Sequence, residues 1–151
     1  MKLTWIEAVL GTIGGAVAWA FGGWSESLTT LVIFMAIDYI TGLTVAGVFK
    51  RSKKSESGAL ESRAGFKGLI RKSMVLLAVL VACRLDLLIG TGSFVRDSVI
   101  IAFIVNETIS IFENMALMGI PLPEAIRKAI DILEKKGKEK EGLIDDKQLR
   151  T

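Results

Sequence analysis

The sequence predicts an all-α integral membrane protein with four transmembrane helices, both termini cytoplasmic, followed by a C-terminal amphipathic helix. Three observations carry that prediction. Apolar residues make up 51% of the 151-residue chain, and they stand in blocks where a soluble domain would scatter them at helix or strand period. Each block supplies roughly 18–25 residues, enough to cross about 30 Å of hydrocarbon at about 1.5 Å per residue. The charged residues, 23% of the chain, collect between the blocks and in the tail.

Segment one covers 5–23, apolar apart from Glu7 and rich in small residues. Gly11 and Gly15 stand four apart, as do Gly14, Ala18 and Gly22. Small residues at this spacing let helices approach closely, either for self-association or for packing inside the protomer. Ala18-Trp19-Ala20 also has the small-x-small form of a signal cleavage site. Cleavage there would leave three crossings, but the single Lys2 and the intruding Glu7 argue against it.

Segment two covers 28–49 and is interrupted by Asp38, with Gly42 and Ala46 as a weaker small-residue pair. Segment three covers 69–90, opening on Arg71 and Lys72 and carrying Arg84 and Asp86 late. Segment four covers 94–118 and contains Asn106, Glu107, Ser110, Glu113 and Asn114 at spacings of three, four and seven. These form one polar stripe, which cannot face lipid and so faces other helices or a water-filled lumen.

The connections set the topology. Segments one and two, and three and four, are joined by tight turns without Lys or Arg. The loop at 50–68 carries Lys50, Arg51, Lys53, Lys54, Arg63 and Lys67, with Arg71 and Lys72 just beyond. By the positive-inside rule this loop and the basic tail are cytoplasmic, and residues 1–120 form one membrane domain. Topology alone accounts for the basic loop; binding to anionic inner-leaflet lipid is the alternative. Pro121 stops segment four, and 121–136 has apolar residues at helical spacing, with Glu124 four before Lys128. This amphipathic helix suits the membrane surface or a neighbouring subunit. The Lys/Glu/Asp-rich 137–151 is expected to be a disordered cytoplasmic tail.

The same counts exclude several function classes. There is no histidine and one cysteine, Cys83. The commonest general base, a disulfide framework and a thiolate metal site are therefore missing, and neither an enzyme nor a metal or cofactor site is expected. The net charge of +3 belongs to residues flanking apolar segments, so nucleic acid is not an expected partner.

A charge at the bilayer centre costs about 3 kcal/mol on insertion scales, so Asp38, Arg84, Asp86 and Glu107 need partners, a proton or water. Measured from the outer end, Arg84 lies about 9 Å deep, Asp38 about 15 Å and Glu107 about 20 Å. Asp38, Arg84, Asn106 and Glu107 are therefore expected to form one intramembrane polar cluster, closed within a protomer or between protomers, with Arg84 alternatively snorkelling outward alongside Asp86.

The order of motifs resembles a known family. Asp38-Tyr39-Ile40-Thr41-Gly42 lies in segment two, and Gly65-Phe66-Lys67-Gly68-Leu69-Ile70-Arg71-Lys72 closes the basic stretch. Asn106-Glu107-Thr108-Ile109-Ser110-Ile111-Phe112-Glu113-Asn114 lies in segment four, before Gly119-Ile120-Pro121-Leu122-Pro123. Over about residues 30–136 this is similar to the toxin-secretion/phage-lysis holin family. The resemblance implies a multi-pass protein of the bacterial cytoplasmic membrane that homo-oligomerises and opens lesions, releasing an endolysin or a toxin. It implies signature positions, not roles for individual residues. Two other classes remain: a small ion channel or proton-coupled transporter using Asp38, Arg84 and Glu107, and a membrane scaffold docking through its tail helix.

Overall fold

The computed structural model describes residues 2–53, 61–129 and 131–132. Lys54, Ile130 and everything from 133 on, including the end of the expected amphipathic helix and the charged tail, lie outside the described residues. Among the described residues all regular structure is helical: α1 (Lys2–Ala20), α2 (Glu26–Thr44), α3 (Ser62–Ile89) and α4 (Phe94–Leu117). A π-helical turn, Val45–Phe49, prolongs α2 and ends at Lys50, whose φ of 50° reverses the chain. Residues 124–129 are helical too, with Glu124 and Lys128 paired at 2.7 Å on the exposed side.

Local chemistry sets the ends. The Ser25 Oγ caps α2 by accepting the Leu28 amide at 3.2 Å. Gly90, at φ 74°, closes α3 by donating to the Asp86 carbonyl. Gly119, at φ 82°, and then Pro121 and Pro123 end α4.

Helix α4 sits between α2 and α3 and packs on both. Leu28, Leu31 and Met35 of α2 meet Val79 of α3 and Ile100 of α4 in the buried core. The same inward faces carry Asp38, Asp86, Arg96, Glu107 and Asn114, all buried. Outward stand Val32, Ile33, Ile37, Ile40, Leu69, Ile70, Leu77, Val81, Ile101 and Val105, all exposed. Charges inside and branched apolar residues outside invert the order of a water-soluble bundle and suit a lipid surround.

Two helices, Glu26–Phe49 and Phe94–Leu117, are long and apolar enough to cross a membrane. In α1 the described apolar stretch, Thr4–Ala20, is shorter. Helix α3 has 28 residues but carries Lys67, Arg71, Lys72, Arg84 and Asp86 along its length. It also begins at Ser62, inside the stretch expected to be loop. Hydropathy marks where a helix stops being apolar, not where it ends, and this one continues through Arg63 and Lys67.

Among the described residues, helix α1 touches the others at its C-terminal end only. Its side chains from Thr4 to Val17 are exposed. Its end is a glycine turn, with Gly22 at φ 70° and Gly23 at φ 97°, the Gly23 amide donating to the Ala18 carbonyl at 2.8 Å. A Cβ on Gly22 would meet the Cys83 Sγ at 2.8 Å, whereas one on Gly23 meets nothing within 4 Å. Gly22→Val should therefore lower stability by about 2–4 kcal/mol, through clash and backbone strain together. Gly23→Ala should lose only the strain, about 1–2 kcal/mol. Thermal unfolding in detergent checks the order; equal losses would mean that Gly22 is not a packing contact.

Candidate functional site

The inward faces of α2, α3 and α4 converge on one ammonium. Lys72 Nζ lies 2.9 Å from Asp38 Oδ2 and 2.6 Å from Glu107 Oε2. All three side chains are sequestered, at 13% exposure for Lys72, 8% for Asp38 and 6% for Glu107. Asn114, one helical stretch below Glu107, donates from Nδ2 to Asp38 Oδ1 at 3.0 Å, to Thr41 Oγ1 at 3.0 Å and to the Asp38 carbonyl at 3.3 Å. The Thr41 hydroxyl donates to the same carbonyl at 3.0 Å. Gly42 lies against this group, and a Cβ there would stand in ordinary contact, 3.7 Å from Asn114 Nδ2.

Two carboxylates around one ammonium leave a formal surplus of one negative charge. The group joins three helices and is a structural device: in lipid, separating them would strand charges that have no other partner. Beside it opens a cavity of about 550 Å³, bounded by α2, the N-terminal half of α3 and α4. Asn106, Ser110 and Glu113 line it, with Tyr39, Lys67 and Arg71 opposite.

A second polar knot ties the other end of the bundle. The Asp86 carboxylate accepts from the Thr91 hydroxyl at 2.5 Å, the Val95 amide at 3.0 Å and the Arg96 amide at 2.8 Å, and so caps the start of α4. Arg96 Nε pairs with Asp97 at 3.0 Å, and Arg96 Nη1 donates to the carbonyls of Phe21 and Gly22 at 3.1 and 3.3 Å.

The expected cluster is corrected in two members, Arg84 and Asn106. Arg84 does not join Asp38 and Glu107; its guanidinium lies over the Trp19 ring, 4.6 Å from the centroid. It stands twelve residues, about 18 Å, above Lys72 on α3 and on another face. Lys72, expected at the membrane surface, supplies the cation instead. The polar stripe of α4 divides: Glu107 and Asn114 are buried between helices, Ser110 and Glu113 are half-buried at the cavity, and Asn106 is exposed there. Asp86 caps α4 and does not snorkel with Arg84.

The small residues divide similarly. Among the described residues, a Cβ on Gly11, Gly14 or Gly15 would meet nothing within 4 Å; Ala18 is half-buried and Gly22 abuts Cys83. Lys50, Arg51, Lys53 and Arg71 are exposed. Sequence reasoning missed Thr41 and Arg96. Arg96 was readable, because it falls four before Ile100, seven before Phe103 and eleven before Glu107 on the buried face of α4.

Relatives of the chain are found among known proteins. An "uncharacterized 14.9 kDa protein in nagH 3'region" of Clostridium perfringens is 36% identical over 135 residues, covering 89% of this chain and 96% of its own length. An uncharacterised protein of Listeria monocytogenes is 37% identical, covering 88% and 89%. The "probable holin" of Bacillus phage phi105 is 30% identical over 119 residues, covering 79% and 82%. No solved structure matches the chain. The family model for the bacteriophage holin family matches residues 15–135, spanning α2, α3, α4 and the shared lysine between them, and the chain belongs to that family.

Proposed function

We propose that the chain acts as a holin in the bacterial cytoplasmic membrane. It crosses four times, N-in and C-in, homo-oligomerises, and opens lesions that release an endolysin or a toxin, with no catalysis of its own. The observation that carries this reading is the buried Asp38–Lys72–Glu107 group inside a lipid-compatible exterior. Such a bundle is stable in lipid only while its polar faces meet each other. Rearranged around water, the same faces become a wettable wall at no comparable penalty, so the molecule is suited to a closed state and to a lumen. The exposed basic stretch from Lys50 to Lys53 suits contact with anionic inner-leaflet lipid.

The test is co-expression with a cytoplasmic cell-wall hydrolase that has no export signal. Culture density should hold steady and then fall abruptly at a reproducible time, and the hydrolase should appear outside. Undisturbed growth, with the protein verified in the membrane fraction, would overturn the proposal.

A further inference from the structure

We propose that each protomer is a half-channel: its cavity is a water-filled vestibule entered from the α2–α3 loop end, and a dry layer of Leu31, Val79 and Ile100 beyond it is the barrier to small ions. This rests on the membrane reading above, whose topology makes the loop end cytoplasmic.

The layering repeats in three helices. Leu31 stands seven before Asp38 on α2, Val79 seven after Lys72 on α3, and Ile100 seven before Glu107 on α4. Seven residues are close to two helical turns, so each apolar residue shares the face of its charged partner, about 10 Å along the helix. Helix α3 runs against α4, since Lys72 meets Glu107 and Asp86 meets the Arg96 amide. The three displacements therefore point the same way. Leu31, Val79 and Ile100 meet in one core, each at 0% exposure.

The other side of the ion group is built differently. The cavity of about 550 Å³ reaches from Val75 and Lys72 to Ser52 and Glu61, and Glu61 lies about 16 Å from Lys72 along α3. Val75 belongs to both regions, lining the cavity and packing on the apolar core, so the two meet one turn beyond Lys72. The cavity wall holds the carboxylates of Asp38, Glu61, Glu107 and Glu113 and the cations of Lys67, Arg71 and Lys72. With both signs present, no single charged occupant satisfies that wall, and hydrocarbon would desolvate all of it. Water serves both signs. The volume far exceeds the about 15 Å³ that one ordered water requires, and Asn106, Ser110 and Tyr39 add polar partners. A layer of Leu, Val and Ile side chains offers water no partner and stays dry.

An apolar constriction between polar ends stops ions by dewetting. Here the second polar end is the Asp86–Arg96 knot. Wetting the one apolar layer would pass small ions while Lys72 still ties the helices together. Leakage of small ions and opening of a protein-sized lesion are then separable events.

The test uses full-length chains in membrane vesicles of either orientation, with Cys83→Ser as background and single cysteines at chosen positions. The probe is a trimethylammonium methanethiosulfonate, which reaches a thiol only through water. Asn106→Cys and Ser110→Cys should react from the cytoplasmic face, about tenfold or more faster than Ile100→Cys in the dry layer and Val105→Cys, which is exposed at nearly the depth of Asn106 but lines no cavity. From the outer face none should react. Asn106→Cys and Ser110→Cys as slow as Val105→Cys would overturn the vestibule; Ile100→Cys as fast as Ser110→Cys, or labelling of Asn106→Cys from the outer face, would overturn the seal. Leu31→Asn, close to leucine in shape, should raise potassium leak from the vesicles about tenfold or more. An unchanged leak, in chains whose Asn106→Cys still labels and which are therefore folded, would also overturn the seal. Neither readout needs a hydrolase: labelling as expected in cells that never lyse refutes the proposed function and leaves the vestibule standing, and timed lysis without labelling does the reverse.

Discussion

Lys72→Met should destabilise the helix bundle by about 3–5 kcal/mol, the loss expected when one partner of a buried ion pair is removed and the other charge stays behind. Here two charges stay behind. Asp38 and Glu107 reach Lys72 from different helices at 2.9 and 2.6 Å, so the substitution turns their shared attraction into mutual repulsion across the α2–α4 contact. Methionine keeps most of the side-chain volume, and the loss is then electrostatic and not a cavity. Glu107→Gln is the control with the opposite sign of argument. It removes the surplus negative charge, leaves a one-to-one pair of Lys72 with Asp38, and keeps a hydrogen-bonding oxygen near the ammonium. It should be tolerated to within about 1 kcal/mol. Unfolding in detergent, followed by tryptophan fluorescence, measures both. Equal loss in the two variants would show that the size and shape of these side chains matter and their charge does not. In cells, Lys72→Met should insert in the membrane but fail to hold the quiet phase before lysis.

This site was partly legible. The depths of Asp38 and Glu107 follow from helical rise once the topology is set, and the turn at Ser25 and the stop at Pro121 bracket α2 and α4. Choosing the cation needed rotation as well as depth. Lys72 is seven residues before Val79, and Asp86 seven after it, so both share the face of that fully buried residue. Arg84 is five after Val79 and turns away by about 140°. Depth alone leaves Arg84 and Lys72 about equally far from the two carboxylates, and the face decides for Lys72. The start of α3 was hidden for a different reason: a helix whose first turns carry Arg63 and Lys67 has no hydropathy boundary at its true start. The isolation of α1 was also beyond the sequence, because glycines spaced by four suit packing within a protomer as well as between copies.

Arg96→Met should cost about 2–3 kcal/mol, because it withdraws a buried cation from three acceptors at once: the carbonyls of Phe21 and Gly22 and the Asp97 carboxylate. The forked guanidinium is what lets one side chain serve the α1–α2 turn and its own helix together. Lysine keeps the charge but has a single ammonium, so Arg96→Lys should recover less than half of the loss. The structural consequence is local. The Arg96 amide remains held by Asp86 at 2.8 Å, so α4 keeps its cap while the end of α1 comes loose. Faster hydrogen exchange should appear at Gly22 and Gly23 and leave the amides of Val95 and Arg96 protected; exchange rising equally at both places would mean that Arg96 supports the α4 cap and not the α1 junction. Arg96 and Lys72 stand about 22 Å apart along the bundle and share no acceptor. Their losses should therefore add to within about 0.5 kcal/mol in the double variant. Additivity would establish two independent fastenings, one closing the polar interior and one holding the end of α1, so that either can release while the other stays made.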